Sequence, residues 1–375
     1  MNRRTFLKLA AAVPAVSAFS GLPGTDFLTL AESAEAEKEF NPLPGPWRAW
    51  EVTTRVEVPQ PAGMTRVWVP VPTVQSDYQR LLGTRWSGNA HLAKQVDDPH
   101  SGAAMVYAEF PESEKAPVLE VVSRFETRDR RLDMSRKTPA RLSHAEVKKW
   151  TRPTRLLPTD GIVKETAAAI VQGKTSDLDK TRAIYDWILT NTYREPKVRG
   201  CGTGDIRGML VTRNLGGKCA DLNGLFVGLL RAAGVPARDV YGLRVGPSAF
   251  GYKSLGASSA TVTKSQHCRA EAFLSDYGWV AMDPADVAKA AREETSERLP
   301  IDHALIAPVA RVLFGGWEGN WLAFNHAHDV HLPHAKNADP LGFLMYPQAE
   351  TAEGRRDCLD PDNFKYTITS PVVAA

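Results

Sequence analysis

The 375-residue chain has little charge of one sign. Its formal net charge is only +3, which gives small reason to expect nucleic acid or an anionic membrane surface as a partner. It has no apolar run long enough to cross a bilayer: the longest, Leu9 to Phe19, holds about 11 residues where about 20 are needed. No internal repeat is visible, which argues against a solenoid. The glycines at 200, 202 and 204 lack the following Gly-Lys-Ser/Thr of a phosphate loop. No calcium loop of the EF-hand type occurs, so calcium activation is not expected. Cysteine is scarce, with four residues, a number that fits an exported protein of this size.

What is present begins with a targeting pattern. Asn2-Arg3-Arg4-Thr5-Phe6-Leu7-Lys8 precedes the apolar, Ala-rich stretch and resembles a twin-arginine export signal. Ala34-Glu35-Ala36 offers a small-x-small cleavage site, and no Cys follows the apolar stretch to carry a lipid. Residues 1–36 are therefore expected to be a signal peptide, with the remainder periplasmic or secreted and not stably inserted in the membrane. An amphipathic N-terminal helix is the alternative. Hydrophobic content of 43% and charged content of 24% are ordinary for a globular chain long enough for two domains.

After a Pro-rich linker at 41–46, short alternating runs recur from 47 to 135. Thr54–Val58, Arg66–Pro70, Met105–Phe110 and Leu119–Phe125 carry the period of two that predicts an antiparallel β-sandwich. A charged connector from 136 to 158 leads to a helical region. Ile162–Val171 and Leu178–Leu189 read as helices, the second with Ser176 or Asp177 as N-cap. The fold class expected is α+β, with a second domain over 150–375 whose tail from Arg311 is irregular and strand-prone.

Gly216-Gly217-Lys218-Cys219 introduces a third helix. Leu222, Leu225, Phe226, Leu229 and Leu230 form one apolar stripe, and Gly234 with Pro236 ends it. Cys219 thus falls in the first turn, where unpaired N–H groups and the helix dipole favour a thiolate. Lys218 adds positive charge, the glycines leave room for a substrate carbonyl, and the Cys219 N–H is a candidate oxyanion donor. The alternative is a small buried hydrophobe.

Gln266 to Leu274 alternates so that His267, Arg269, Glu271 and Phe273 share a face opposite Cys268, Ala270, Ala272 and Leu274. His267 should then point away from the packed side. A turn at 275–278 leads to Trp279-Val280-Ala281-Met282-Asp283-Pro284. A His and an Asp on neighbouring strands suit base and orienting carboxylate. A plain four-residue turn would pair Leu274 with Trp279, setting Asp283 opposite Ala270 and Asp286 opposite His267. Asp283 then serves only if a bulge or twist shifts the ladder, and Asp286 is a rival.

Cys at a helix start, His on one strand and Asp on the next together resemble the transglutaminase-like superfamily. The resemblance rests on Gly-Gly-Lys-Cys219-Ala-Asp-Leu-Asn, His267-Cys-Arg-Ala-Glu and Gly-Trp-Val-Ala-Met-Asp283-Pro, and covers residues 180–290. It implies a papain-like catalytic core, with Cys219 as nucleophile, His267 as base and Asp283 as orienter. It implies acyl transfer on a peptide or protein substrate through a thioester, without cofactor or metal. Members often have an aromatic residue two positions after the His, where this chain has Arg269. That arginine could pair with Glu271, attract an acidic substrate group, or simply be solvated. Water as acceptor makes a cysteine peptidase or amidase, the expected outcome; an amine makes a crosslinking transglutaminase. A non-catalytic binding or scaffold module of the cell envelope is the reading from another class.

If Cys219 stays a free thiol, one pair among Cys201, Cys268 and Cys358 could form a disulfide, and the sequence does not choose it. His326, His328, His331 and His334 crowd around Asp329, a pattern that suits a metal, but Pro333 interrupts it and no Cys or Glu completes a shell. The same strand could instead border the cleft. Asp205 is read as an Asx-turn residue or as part of the cleft wall.

Overall fold

The strand Arg48–Glu57 buries alternate residues, Trp50, Val52, Thr54 and Val56, as its period of two requires. In the computed structural model, which describes residues 39–371, it pairs antiparallel with Val118–Thr127 along its whole length. Gln79–Gly88 continues that sheet beyond Val118–Thr127, and Lys365–Thr369 closes its other edge. A second antiparallel sheet runs Gly354–Arg355, Gln348–Thr351, Thr65–Val71, Ala104–Phe110, Leu92–Asp97. Val56, Leu119 and Val121 of the first sheet share one apolar cluster with Val67, Val69 and Val106 of the second. The two sheets thus bury a common core, and both draw strands from the C-terminal tail. Phe364, from that tail, is buried in the same cluster. Three of the four runs expected from alternation lie inside observed strands, and the fourth, Thr54–Val58, overruns its strand by one residue. Gln79–Gly88 and Leu92–Asp97 were not anticipated, because both are largely exposed and carry no apolar alternation. The expected signal peptide lies outside the described residues.

The remaining layers surround the helix Cys219–Ala232. Every residue from Cys219 to Arg231 is buried. One side packs on the strand Gln266–Leu274, and the helices Gly161–Ile170 and Asp177–Asn191 cover the others. The apolar stripe therefore understates its burial. Ser176 caps Asp177–Asn191 by accepting from the Asp179 N–H at 3.0 Å. The charged connector holds a helix of its own, His144–Thr151, with a Ser143–Glu146 capping box and no buried residue.

The sheet beside the central helix runs Gly278–Met282, Gln266–Leu274, Ala237–Arg244, Trp321–Asn325, all antiparallel. Gln266–Leu274 is an inner strand covered on both faces, so all residues from His267 to Leu274 are buried. This corrects the expectation that His267 points away from the packed side. The polar face is filled by ion pairs instead. Glu271, 1% exposed, binds Arg238 at 2.6 Å and Arg130 from the preceding sheet region. Burial opposes its ionisation, but the two guanidinium groups outweigh that and hold it down at about 2. A depressed carboxylate stabilises the fold above its unfolded value near 4.5, and that contribution is lost as pH falls through 2. Glu271→Gln strands two cations and should cost about 3 kcal/mol at neutral pH. Urea unfolding at pH 7 and pH 3 checks this, the wild type approaching the variant at the lower pH.

Candidate functional site

Cys219 stands at the first position of its helix and is 4% exposed. Asp221, one turn in, organises what surrounds it. Its Oδ2 accepts the Lys218 N–H at 3.0 Å, and its Oδ1 accepts the Thr203 and Gly204 N–H groups at 2.9 Å each. This ties the loop 200–204 to the helix start, aided by the Ala220 N–H donating to the Cys201 carbonyl at 2.9 Å. Gly202 has φ +92°, and a Cβ there would lie 1.8 Å from Asp221 Oδ2, so only glycine serves. The glycine pair before the cysteine does something other than admit a substrate. A Cβ on Gly216 would meet the Tyr193 ring at 2.4 Å, and one on Gly217 would meet Asp221 Cβ at 2.5 Å. Asp205 is a helix N-cap, accepting from the Gly208 N–H at 3.0 Å.

His267 reaches the same cavity from its strand. Its Nε2 lies 2.7 Å from Asp283 Oδ2 and 3.3 Å from Asp286 Oδ1. Nε2 being taken by carboxylates, Nδ1 is the ring nitrogen left for a thiol. The ladder explains why Asp283 is available. Phe273 pairs with Trp279 and Leu274 with Gly278, across a three-residue loop rather than four. Continuing that register sets Asp283 opposite Arg269, hence on the face of His267. The one-residue difference moves the carboxylate across the sheet. Asp283 then caps the helix Pro284–Glu293, its Oδ1 accepting the Asp286 N–H at 3.1 Å.

Asn223 and Arg244, not singled out from the sequence, and Arg269, whose fate the sequence left open, hold this arrangement. Asn223, one turn past Cys219, donates Nδ2 to Asp283 Oδ1 at 3.0 Å and to the Cys268 carbonyl at 2.9 Å. It therefore fixes the spacing between the helix, the His strand and the acid. Asn223 stood within the Cys219 motif, but nothing in its spacing distinguished it from a core amide. Arg244 binds Asp286, and both are buried. Arg269 is 2% exposed, lies 3.6 Å from Asp283, donates to the Glu318 carbonyl at 2.9 Å and faces the Trp321 ring at 4.6 Å. It is neither solvated nor paired with Glu271. Burial pulls it down to about 10.

The electrostatics follow from these neighbours. Burial alone would keep Cys219 protonated, but the Cys201 and Cys268 thiols and the His267 ring hold it well below the usual thiol range. Burial and Arg244 oppose charge on His267, yet Asp286 and Asp283 raise it to about 9. Hydrogen bonding to Cys219 pushes Cys201 well up, and burial does the same to Cys268. Burial and the adjacent Asp286 carboxylate raise Asp283, while Arg244 and His267 hold Asp286 well down. One charged thiol among three, beside one charged imidazole, is the result. All four cysteines are free; Cys201, Cys219 and Cys268 are buried and Cys358 is partly so.

A cavity of about 370 Å³ opens over Cys219 and His267. Its lining combines six cations, Arg194, Arg199, Lys218, Arg244, Lys264 and Lys289, with apolar and aromatic side chains from the tail, Tyr346, Leu359, Pro361, Phe364 and Tyr366. The histidines at 326–334 do not border it. They disperse: His328 binds Asp239 at 3.0 Å, His326 lies 3.1 Å from the Asp239 carbonyl, His331 packs on His100, and His334 stacks on Tyr107. Among the described residues, the group whose ligand atoms lie within 4.8 Å of one another is His267, Asp283 and Asp286, beside the Arg244 and Arg269 guanidiniums.

Residues 164–284 match the transglutaminase-like superfamily, a span that includes Cys219, His267 and Asp283. An uncharacterized protein of Haemophilus influenzae is 36% identical over 322 residues, covering 82% of this chain and 86% of the relative. The chain belongs to the transglutaminase-like superfamily. YebA of Bacillus subtilis is 23% identical over 242 residues, which span 62% of this chain and 30% of YebA. Among solved structures, a candidate cysteine protease from Cytophaga hutchinsonii is 14% identical, covers 88% of this chain and 99% of its own, and has a TM-score of 0.49. The periplasmic domain of TgpA from Pseudomonas aeruginosa is 14% identical over 70% of this chain and 99% of that domain, with a TM-score of 0.32. No described helix is long and apolar enough to cross a membrane.

Proposed function

We propose that this protein is a cysteine hydrolase of amide bonds, with Cys219 as nucleophile, His267 as proton carrier and Asp283 as orienter. The observation that carries the reading is His267 Nε2 held at 2.7 Å by Asp283, with the ring lining the same cavity as a thiol at a helix start. The Cys219 thiolate attacks the carboxamide carbon, and the Cys219 N–H serves as an oxyanion donor. As the C–N bond breaks, the imidazolium gives its proton to the leaving amine, leaving a thioester. Water then attacks, His267 takes its proton, and collapse expels the thiolate with a carboxylic acid product.

The pH window follows from the two shifts. Below the lowered Cys219 value the thiolate is protonated and attack stops. Above about 9 the His267 ring loses the proton the leaving amine needs. Activity is therefore expected to fall on both sides, with the alkaline limb near 9. The acid side is read by iodoacetamide labelling of Cys219. An ordinary thiol of pKa near 8.5 slows about fiftyfold between pH 8.5 and 6.5. Cys219 should change by less than about twofold, and a fiftyfold loss would sink the ion-pair reading.

The assay that tests the activity compares the protein with Cys219→Ala on a mixed peptide library by mass spectrometry, with and without a primary amine. Cleavage or deamidation lost in the variant supports the hydrolase; amine adducts make it a transglutaminase; identical behaviour favours a binding module. The Arg3-Arg4 segment supports action outside the cytoplasm. Replacing both arginines by lysine should leave the protein inside fractionated cells.

A further inference from the structure

The cations that line the cavity are not explained by the Cys219 chemistry. Six of the cavity residues are Lys or Arg, and no Asp or Glu is among its lining. The whole chain carries only three more cations than carboxylates, so this is a local concentration. Three of the six are neutralised from behind: Arg194 by Glu293 at 2.7 Å, Arg199 by Asp357 at 2.5 Å, and Arg244 by Asp286. The other three are lysines. Among the described residues the lysines within ion-pair distance of a carboxylate are Lys137 and Lys365, neither of which lines the cavity. Lys218, Lys264 and Lys289 therefore line the cavity with no carboxylate within ion-pair distance. Lys264 is exposed, while Lys218 and Lys289 are part-buried. Burial and the nearby Arg244 push Lys289 down to about 8, against the opposing pull of Asp286 and Glu293.

Holding like charges around a cavity is costly, and the cost is recovered when an anion enters. The rest of the lining does not suit a purely ionic occupant. Tyr346, Leu359, Phe364 and Tyr366 add rings and a methyl-bearing side chain to the lining of the cavity that holds Cys219. A ligand that satisfies both kinds of lining carries carboxylates together with apolar or peptide surface. We propose that the substrate is an acidic peptide, bound with its carboxylate groups against Lys218, Lys264 and Lys289 and the amide to be cleaved over Cys219. This rests on the Cys219 reading and goes further by naming what the thiol acts on. It also accounts for the tail: the segment from Leu359 to Tyr366 contributes apolar and aromatic side chains to the cavity lining.

The test separates the charge of the cavity from turnover. Cys219 is alkylated with iodoacetate, an anion, and with iodoacetamide, its neutral counterpart, and the adduct is mapped by mass spectrometry. The ratio of the two rates, referred to glutathione, reads the local potential. The His267 imidazolium contributes in every variant, so the readout is the change on removing lysines. Lys264→Gln and Lys289→Gln should each lower the ratio about fivefold at low salt, the double variant by more, and salt should erase the difference. Lys264 is exposed, so its variant keeps the fold. In parallel, kcat/KM for peptides with Glu beside the cleaved amide should exceed that for Gln counterparts at least tenfold, and the gap should close in the double variant. If iodoacetamide labels Cys219 but the double variant keeps the wild-type ratio and peptide preference, the acidic-substrate inference fails and the thiol reading stands. If Cys219 takes neither reagent, the thiol reading fails and this inference falls with it.

Discussion

Cys219→Ala is expected to lower kcat/KM for the proposed amide cleavage by about six orders of magnitude, to the level of the binding site alone. Nothing nearby can substitute. Cys201 and Cys268 are the adjacent thiols, and both are pushed well above the usual thiol range, so neither offers a thiolate at neutral pH. Neither stands at a helix start: Cys201 donates to the Gln266 carbonyl at 3.3 Å, and Cys268 points to Met345. The fold should tolerate the change, since alanine fills nearly the same buried volume and the His267 imidazolium keeps Asp283 and Asp286 as partners. Circular dichroism and thermal unfolding check the fold, and a discontinuous assay sensitive to slow turnover checks the rate. A residual activity within a hundredfold of wild type would move the nucleophile elsewhere.

Asp283→Asn is the second large effect, about four orders of magnitude in kcat. Asp283 accepts from His267, Asn223 and the Asp286 backbone at once, so its geometry is over-determined. An asparagine that kept the His267 contact through its amide nitrogen would favour the wrong tautomer. The variant also removes one of the two carboxylates that raise His267 to about 9. The imidazolium is then less stable, so the alkaline limb of the residual rate moves to lower pH. Arg269 loses its acid partner as well, which should cost about 3 kcal/mol in unfolding free energy. Asp286→Asn is the comparison that decides between the two acids. Asp286 is already bound to Arg244 and lies farther from Nε2, at 3.3 Å. Its loss should cost less rate than that of Asp283; the reverse order would make Asp286 the orienter.

How much of this was legible in the sequence differs residue by residue. The start of the Cys219 helix was readable, because a glycine pair, a breaker and a helical stripe fix it independently of the rest of the fold. His267 on a strand was readable from the alternation. Its surroundings were not, because an inner strand covered on both faces can alternate apolar and ionised residues when buried partners such as Arg130 and Arg238 meet Glu271. The hairpin register turned on one residue. Gly278, at φ +77°, supplies the left-handed position that ends a three-residue loop, and counting it inside a four-residue turn put Asp283 on the wrong face. Arg269 was left open among three fates, and the actual one depends on Trp317 and Trp321. Those lie fifty residues on and meet it only through the neighbouring strand. The C-terminal strands were visible as strand-prone, but their partners at the other end of the chain carry no local signal.

That last pairing sets an order of events on the ribosome. Arg48–Glu57 emerges among the first of the described residues, and its edge partner Lys365–Thr369 among the last. Throughout synthesis the early strand presents an open edge on one side, a template for another chain until the final segment arrives. Phe364 and Tyr366 arrive with it, so the lining of the cavity that holds Cys219 stays incomplete until well after the chemistry-bearing segment has emerged. A nascent or truncated chain would hold the thiol, the imidazole and the acid and still lack a closed place to seat a peptide. The cavity is thereby finished later than the segment that carries the chemistry is made.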